Sequence, residues 1–241
     1  MVFILLPPSE GKADGGRPGT AWDPSAGPTG RALGELRIQV AGALGRARGG
    51  DQKLLGVKGQ ALERARSANI AVLGAPSLPA WQRYAGVVWD HLDLASMPAP
   101  ARTVAVKRIL VPSGLLGMVR GDEQTPDYKL KMGAVLPGTG RLSRWWRDAV
   151  TAEIVRLTRG GTIVDLLPQE HSDAVDWSAL GEGRVVHVDL VSRAKGGRVG
   201  GHDAKAAKGL LARRLLDAPT NAPLPRTLAG FRHPQYAARI R

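Results

Sequence analysis

Apolar positions along the chain fall into two rhythms. Val2–Leu6, Ile109–Val111 and 162–167 (TIVDLL) are short, mostly apolar runs, the pattern of strands buried on both faces. Each meets a proline and then a polar cluster: Ser9-Glu10-Gly11-Lys12, Ser113-Gly114 and Gln169-Glu170-His171-Ser172. Residues 184–191 (RVVHVDLV) alternate like a half-buried strand, and the apolar stretch 104–111 reads as one strand. Elsewhere the spacing is three and four. Leu33, Leu36, Val40 and Leu44 predict a helix over 32–47, and Trp146, Ala149, Val150, Ile154 and Leu157 predict one over 142–158. A third helix is predicted from Asp203, read as its N-cap, with Leu210, Leu211 and Leu215 inside. Strands and helices intermix without an internal repeat. The expected fold is therefore one mixed α/β (α+β) domain over 1–241.

Turn formers set the connections. Residues 13–30 read as a mobile surface loop, Gly121–Pro126 as an exposed loop, and Pro219–Pro225 as a linker-like turn. Lys195-Gly196-Gly197-Arg198-Val199 reads as a hairpin turn. Within 32–66 a helix ends at Gly49-Gly50, and Gly56–Gly59 then separates two further helical pieces. That is how a helix-hairpin-helix unit looks, with glycines that let backbone amides approach a phosphate. Lys58 stands where the usual hairpin has its second glycine, so a plain helix–helix turn is the other reading. Tyr84, Trp89, Phe231 and Tyr236 are expected to pack inward.

Charge adds a partner class. The 241 residues carry 34 Lys+Arg against 21 Asp+Glu, a net charge of +13. Such an excess favours nucleic acid, anionic nucleotides or an anionic surface. The split of 25 Arg to 9 Lys also fits the arginine usage of a GC-rich genome. With no cysteine, disulfides, thiolate nucleophiles and Cys-ligated zinc are excluded. The five histidines form no His-x-x-x-His pair, so no metal set and no cofactor are expected. The N-terminal apolar run lacks a basic lead and stops at Pro7-Pro8, and no stretch approaches a membrane span. The expectation is a cytoplasmic protein with no membrane partner.

Two functional sets follow. Lys53, Gly56, Lys58, Gly59, Arg64, Arg141 and Arg144 are the candidate contacts to DNA phosphates, duplex or junction. Ser9, Lys12, Ser113, Lys129 and Lys208 are candidates for an anion pocket at strand ends. Beside them Glu170, Tyr128 and Lys205 are candidates for acid/base work on a nucleotide-like small molecule. Lys205 and Lys208, one turn apart near a helix start, oppose the helix dipole unless an anion sits between them. Glu170 and His171 are also candidates for an acid/base pair. The bland alternative is a basic surface over a tryptophan-containing core.

These segments together resemble the YaaA peroxide-stress family. The carrying stretches are PPSEGK, LLGVKGQALERA, SGLLGMVRGDEQTPDYKLKMG, RWWRDAV, VDLLPQEHSDAV, HDAKAAKGLLARRL and the closing LAGF-x-H-x-x-Y, in order along the chain. The resemblance implies a cantaloupe-like α/β fold containing a helix-hairpin-helix unit. It also implies a basic cleft for double-stranded and branched DNA, and a role in limiting oxidative damage. It places the hairpin on Gly56, Val57, Lys58 and Gly59, and the family's Ser-Gly-Leu-x-Gly on Ser113, Gly114, Leu115 and Gly117. The family's Tyr-Arg-Leu-x-Met-Gly falls on Tyr128–Gly133, with Lys129 in place of Arg. Lys131 replaces a Glu seen in some members, and Lys208 takes the position of an Arg. Glu170 matches a family Glu, whereas His171 replaces a Tyr.

Overall fold

The computed structural model describes residues 1–194, 199–220 and 222–241. The expected turn at 195–199 lies outside them except for Val199. Ten strands are described: β1 (Val2–Leu5), β2 (Ser77–Pro79), β3 (Ile109–Ser113), β4 (Gly117–Arg120), β5 (Gln124–Pro126), β6 (Val135–Leu136), β7 (Gly140–Arg141), β8 (Thr162–Asp165), β9 (Val185–Ser192) and β10 (Tyr236–Ile240). The longer helices are α1 (Gly30–Arg46), α3 (Gln60–Ile70), α6 (Ala99–Val106), α8 (Arg147–Thr158) and α10 (Gly201–Asp217). Shorter ones are α2 (Gln52–Leu55), α4 (Ala80–Arg83), α5 (Val87–Leu92), α7 (Leu142–Trp145), α9 (Gln169–Ser172) and α11 (Leu224–Ala229).

Six strands form one sheet in the order β10-β9-β8-β1-β3-β4. The central pairings β9-β8, β8-β1 and β1-β3 are parallel, and the outer strands β4 and β10 are antiparallel. This is the mixed α/β architecture expected from the apolar runs. Ile4, Leu5, Ile109–Val111, Ile163 and Val164 are fully buried, as parallel strands covered on both faces must be. Helix α10 packs closely on α5 because Gly209 has no side chain: a methyl there would strike the Val88 carbonyl. From β1 the chain moves to β3 on one side of the sheet, then returns to β8 on the other. The carboxyl ends of these strands flank the reversal, where open α/β sheets form crevices.

Several expectations are corrected. Residues 104–111 are not one strand: α6 runs to Val106, and β3 starts at Ile109. Pro100 lies in the first turn of α6, where a missing amide hydrogen costs nothing, so the prolines there start a helix. The same holds at Pro225 in α11, inside the expected linker. Helix α10 begins at Gly201, so Asp203 is a first-turn carboxylate rather than the cap, and Leu210 is exposed. Gly121–Pro126 is not an exposed loop: it contains β5, and Glu123 and Thr125 are buried. Loop 13–30 is pinned by buried Trp22 and Thr29. The predicted inward aromatics Tyr84, Trp89, Phe231 and Tyr236 are all buried. No helix among the described residues is long and apolar enough to cross a membrane.

Candidate functional site

The loop after β1 is held as an improvised strand. Lys12 bridges Tyr84, and the Ala13 amide donates to the Arg83 carbonyl at 2.9 Å. The Ala85 amide donates to Ser9 Oγ at 3.0 Å, and Trp89 Nε1 donates to the Pro7 carbonyl at 3.2 Å. The guanidinium of buried Arg83 donates to the carbonyls of Ala13, Gly15, Pro76 and Thr125. The position of Lys12 is therefore set by a dense frame.

Within that frame the Lys12 ammonium lies 4.1 Å from the ring centroid of Tyr128 and 5.9 Å from that of Tyr84, a cation–π arrangement. Among the described residues its hydrogen-bond partner is the Ser9 carbonyl at 3.2 Å. Among the described residues it makes no ion pair. Burial lowers its pKa to about 7; nearby Asp127 pulls the other way, and Lys129 and Arg83 add to the lowering. The rings are held by hydroxyls: Tyr128 Oη lies 2.7 Å from Ser113 Oγ and 3.0 Å from Tyr84 Oη, and the Leu116 amide donates to Ser113 Oγ. Burial pushes the Tyr128 phenol up to about 12, so it stays protonated at neutral pH.

Segment 128–133 carries the site toward its neighbours. Lys129 and Lys131, two residues apart, both reach the exposed carboxylate of Glu10, at 3.6 and 3.8 Å. Buried Asn69 donates to the carbonyls of Gly49 and Lys129 and accepts from the Lys129 amide. One side chain thus clamps α3 to the lysine segment. Lys131 Nζ also stands over Gly56, 3.2 Å from where a methyl on that glycine would lie. At the far end the Gly133 amide donates to Glu170 Oε1 at 2.7 Å, and Arg141 donates to the Gly133 carbonyl.

The helical pieces around Gly56–Gly59 form as the spacing predicted. Asp51 caps α2 by accepting from the Leu54 amide, Gly56 ends it at φ +69°, and Gly59 opens α3 at φ +59°. Lys53, Lys58, Gly56 and Gly59 are exposed. Arg64 pairs with Asp14 at the surface, and Arg144 is exposed on α7.

The remaining candidates lie in other groups. Glu170 and His171 sit on α9, so they are successive helical positions rather than strand neighbours. Among the described residues no hydrogen bond or ion pair joins Glu170 to Tyr128 or Lys205. Lys208 donates to the Leu166 carbonyl at 2.6 Å, and burial lowers its pKa although Asp165 and Asp189 favour the charge. A backbone oxygen of this chain thus answers Lys208, and Lys205 is exposed one turn earlier.

The residue pattern did not reveal Asn69, Tyr84 or Glu10, whose partners lie 60, 44 and over 100 positions away. Nor did it pair buried Asp165 with His187, whose Nδ1 lies 2.7 Å from Asp165 Oδ2. Their strand register places them side by side.

The profile of a family described as peroxide stress protein YaaA matches residues 2–239. Similar proteins include a UPF0246 protein of Streptomyces coelicolor, 35% identical over 221 residues, covering 89% of this chain and 83% of that protein. Another, from Corynebacterium efficiens, is 32% identical over 234 residues, covering 92% and 87%. A third, from Corynebacterium glutamicum, is 29% identical over 226 residues, covering 89% and 84%. With nearly its whole length matched, the chain belongs to the peroxide stress protein YaaA family.

Proposed function

We propose that this family member acts in the cytoplasm as a DNA-binding protein of the peroxide response, holding the phosphates of duplex or branched DNA. The observation that carries this reading is the Asn69 clamp, which joins Gly49 and the last turn of α3 to the segment bearing Lys129 and Lys131, with Lys131 standing over Gly56 of the turn that opens α3. Exposed Gly59 at positive φ and the uncapped start of α3 offer backbone amides, and Lys53, Lys58 and Lys131 supply charge beside them. Read this way, residues 51–66 act as a helix-hairpin-helix. Arg141 and Arg144 extend the basic edge beyond Gly133. Contacts of this kind grip the backbone and read little sequence.

The test is fluorescence anisotropy with a duplex and a four-way junction across a salt series. Binding is expected to weaken steeply, with log K falling by about 0.9 per log salt for each phosphate contacted. Undetectable binding at low salt, or affinity indifferent to salt, rejects the reading.

A further inference from the structure

One group in the site has no part in gripping phosphate from the surface. The half-buried Lys12 amine is packed over a tyrosine face, with no carboxylate in ion-pair contact among the described residues. Two features beside it describe a ligand. The buried rings of Tyr84 and Tyr128 form an apolar floor under the amine, so a ligand that reaches it comes from the side of Ser9 and Glu10. Two residues before Lys12, the carboxylate of Glu10 rests between Lys129 and Lys131. That carboxylate is an oxyanion of the chain itself, held loosely and largely exposed, in a seat that two ammonium groups make.

We propose that Lys12 Nζ is a carbonyl-reacting amine that forms an imine with an aldehyde borne on a phosphorylated ligand, whose phosphate displaces Glu10 between Lys129 and Lys131. The neutral amine attacks the carbonyl carbon with its lone pair. The carbonyl oxygen takes a proton and the nitrogen loses one, giving a carbinolamine. Loss of that hydroxyl as water leaves the C=N bond, so amine and aldehyde give imine and one water. No oxidant or reductant is required. The framing of Lys12 by Ser9, Arg83 and the tyrosines keeps the nitrogen in one place for the attack. The groups that set its charge are Asp127 and Glu10, which favour the ammonium, and Lys129 and Arg83, which oppose it. Tyr84 and Tyr128 stay neutral because burial raises both phenols. With a pKa near 7, a large share of the amine is free to attack at neutral pH.

This chemistry has two sources: a small phosphorylated aldehyde, or the ring-opened sugar of an abasic site flanked by phosphates in DNA. The second source rests on the DNA-binding reading, and the first does not.

The experiment treats the full chain with borohydride in the presence of pyridoxal 5′-phosphate, pyridoxal, or a duplex carrying one abasic site, and maps the adducts by peptide mass spectrometry. Borohydride delivers hydride to the imine carbon and fixes a secondary amine. Lys12 is expected to be labelled first by pyridoxal 5′-phosphate, about tenfold faster than by pyridoxal, with a half-maximal rate near pH 7. Lys129→Ala with Lys131→Ala should bring the ratio of the pyridoxal 5′-phosphate rate to the pyridoxal rate down to about one, while both rates fall together because loss of Lys129 leaves Lys12 more fully protonated. Lys12→Met should abolish the adduct, and wild-type mapping needs no variant to fold. An adduct on Lys12 from the abasic duplex assigns the source to DNA; one from the small aldehyde alone assigns it to a metabolite. Labelling confined to exposed lysines, with Lys12 unmodified by every probe, overturns the proposal. Anisotropy on the intact duplex is measured in parallel, so failure of DNA binding is told apart from failure of the amine.

Discussion

Arg37 and Lys12 are two cations drawn into this protein on opposite terms, the first buried and the second half-buried. Arg37 is 1% exposed and reaches Glu123, which is 3% exposed, at 3.4 Å. Its guanidinium also donates to Thr29 Oγ1 and to the carbonyls of Pro24, Leu116 and Met118. Thr29 in turn donates to Glu123, whose second oxygen accepts from the Arg120 amide. Each group there is answered, so the cluster ties α1 to the β4 hairpin and to the turn after it. Among the described residues Lys12 has a single carbonyl partner and an aromatic face. A fully paired cation holds a fold together. A cation with one hydrogen bond and a lowered pKa costs stability, and such groups gather where chemistry is done.

The widest gap between the two should appear on truncation. Arg37→Met leaves the Glu123 carboxylate buried without its cation and should cost about 3–5 kcal/mol in urea unfolding. Lys12→Met replaces a desolvated amine by an apolar side chain of similar length. It should leave stability within about 1 kcal/mol or raise it. Equal losses from the two variants would erase the contrast.

Next in size is the response to pH. Below pH 7 Lys12 is protonated in both folded and unfolded chains. Between about 7 and 10.5 the unfolded chain holds a proton that the folded one has released. The unfolded state then binds more protons, so stability should rise with pH across that window, by at most about 1.4 kcal/mol per pH unit. Subtracting the Lys12→Met profile isolates this slope. A difference profile flat from pH 7 to 10 would place the amine in water.

Asn69→Ala tests the clamp between the two parts of the site. It leaves the buried Gly49 carbonyl and the half-buried backbone of Lys129 unanswered and should cost about 1–3 kcal/mol by urea unfolding. At permissive temperature it should also weaken DNA binding more than it weakens Lys12 labelling, because α3 moves while the frame around Lys12 stays. The smallest effect is expected from Lys53→Ala with Lys58→Ala. Each lost phosphate contact should flatten the salt slope by about 0.9 without altering stability, read by anisotropy and by unfolding on the same samples.

Local pattern carried the architecture a long way. Short apolar runs ending at proline specified β1, β3 and β8, because strands covered on both faces tolerate nothing else. The spacing of Leu33, Leu36, Val40 and Leu44 specified α1, and the glycines at 56 and 59 specified the break between α2 and α3. Where local signals have two meanings the reading failed: proline can end one element or open the next, as at Pro100 and Pro225.

Ser9, Lys12, Ser113, Tyr128 and Lys129 were legible as polar residues following buried strands or closing the central stretch. Which of them meet was not. Lys12 faces Tyr128 across 116 positions of chain because parallel strands bring distant loops to one edge. Glu170 turns to Gly133, and Lys208 turns to Leu166, for the same reason. Composition and periodicity report what a residue prefers as a neighbour. The crossings of the chain decide which neighbour it receives, and with it whether a lysine is a surface charge or a reactive amine.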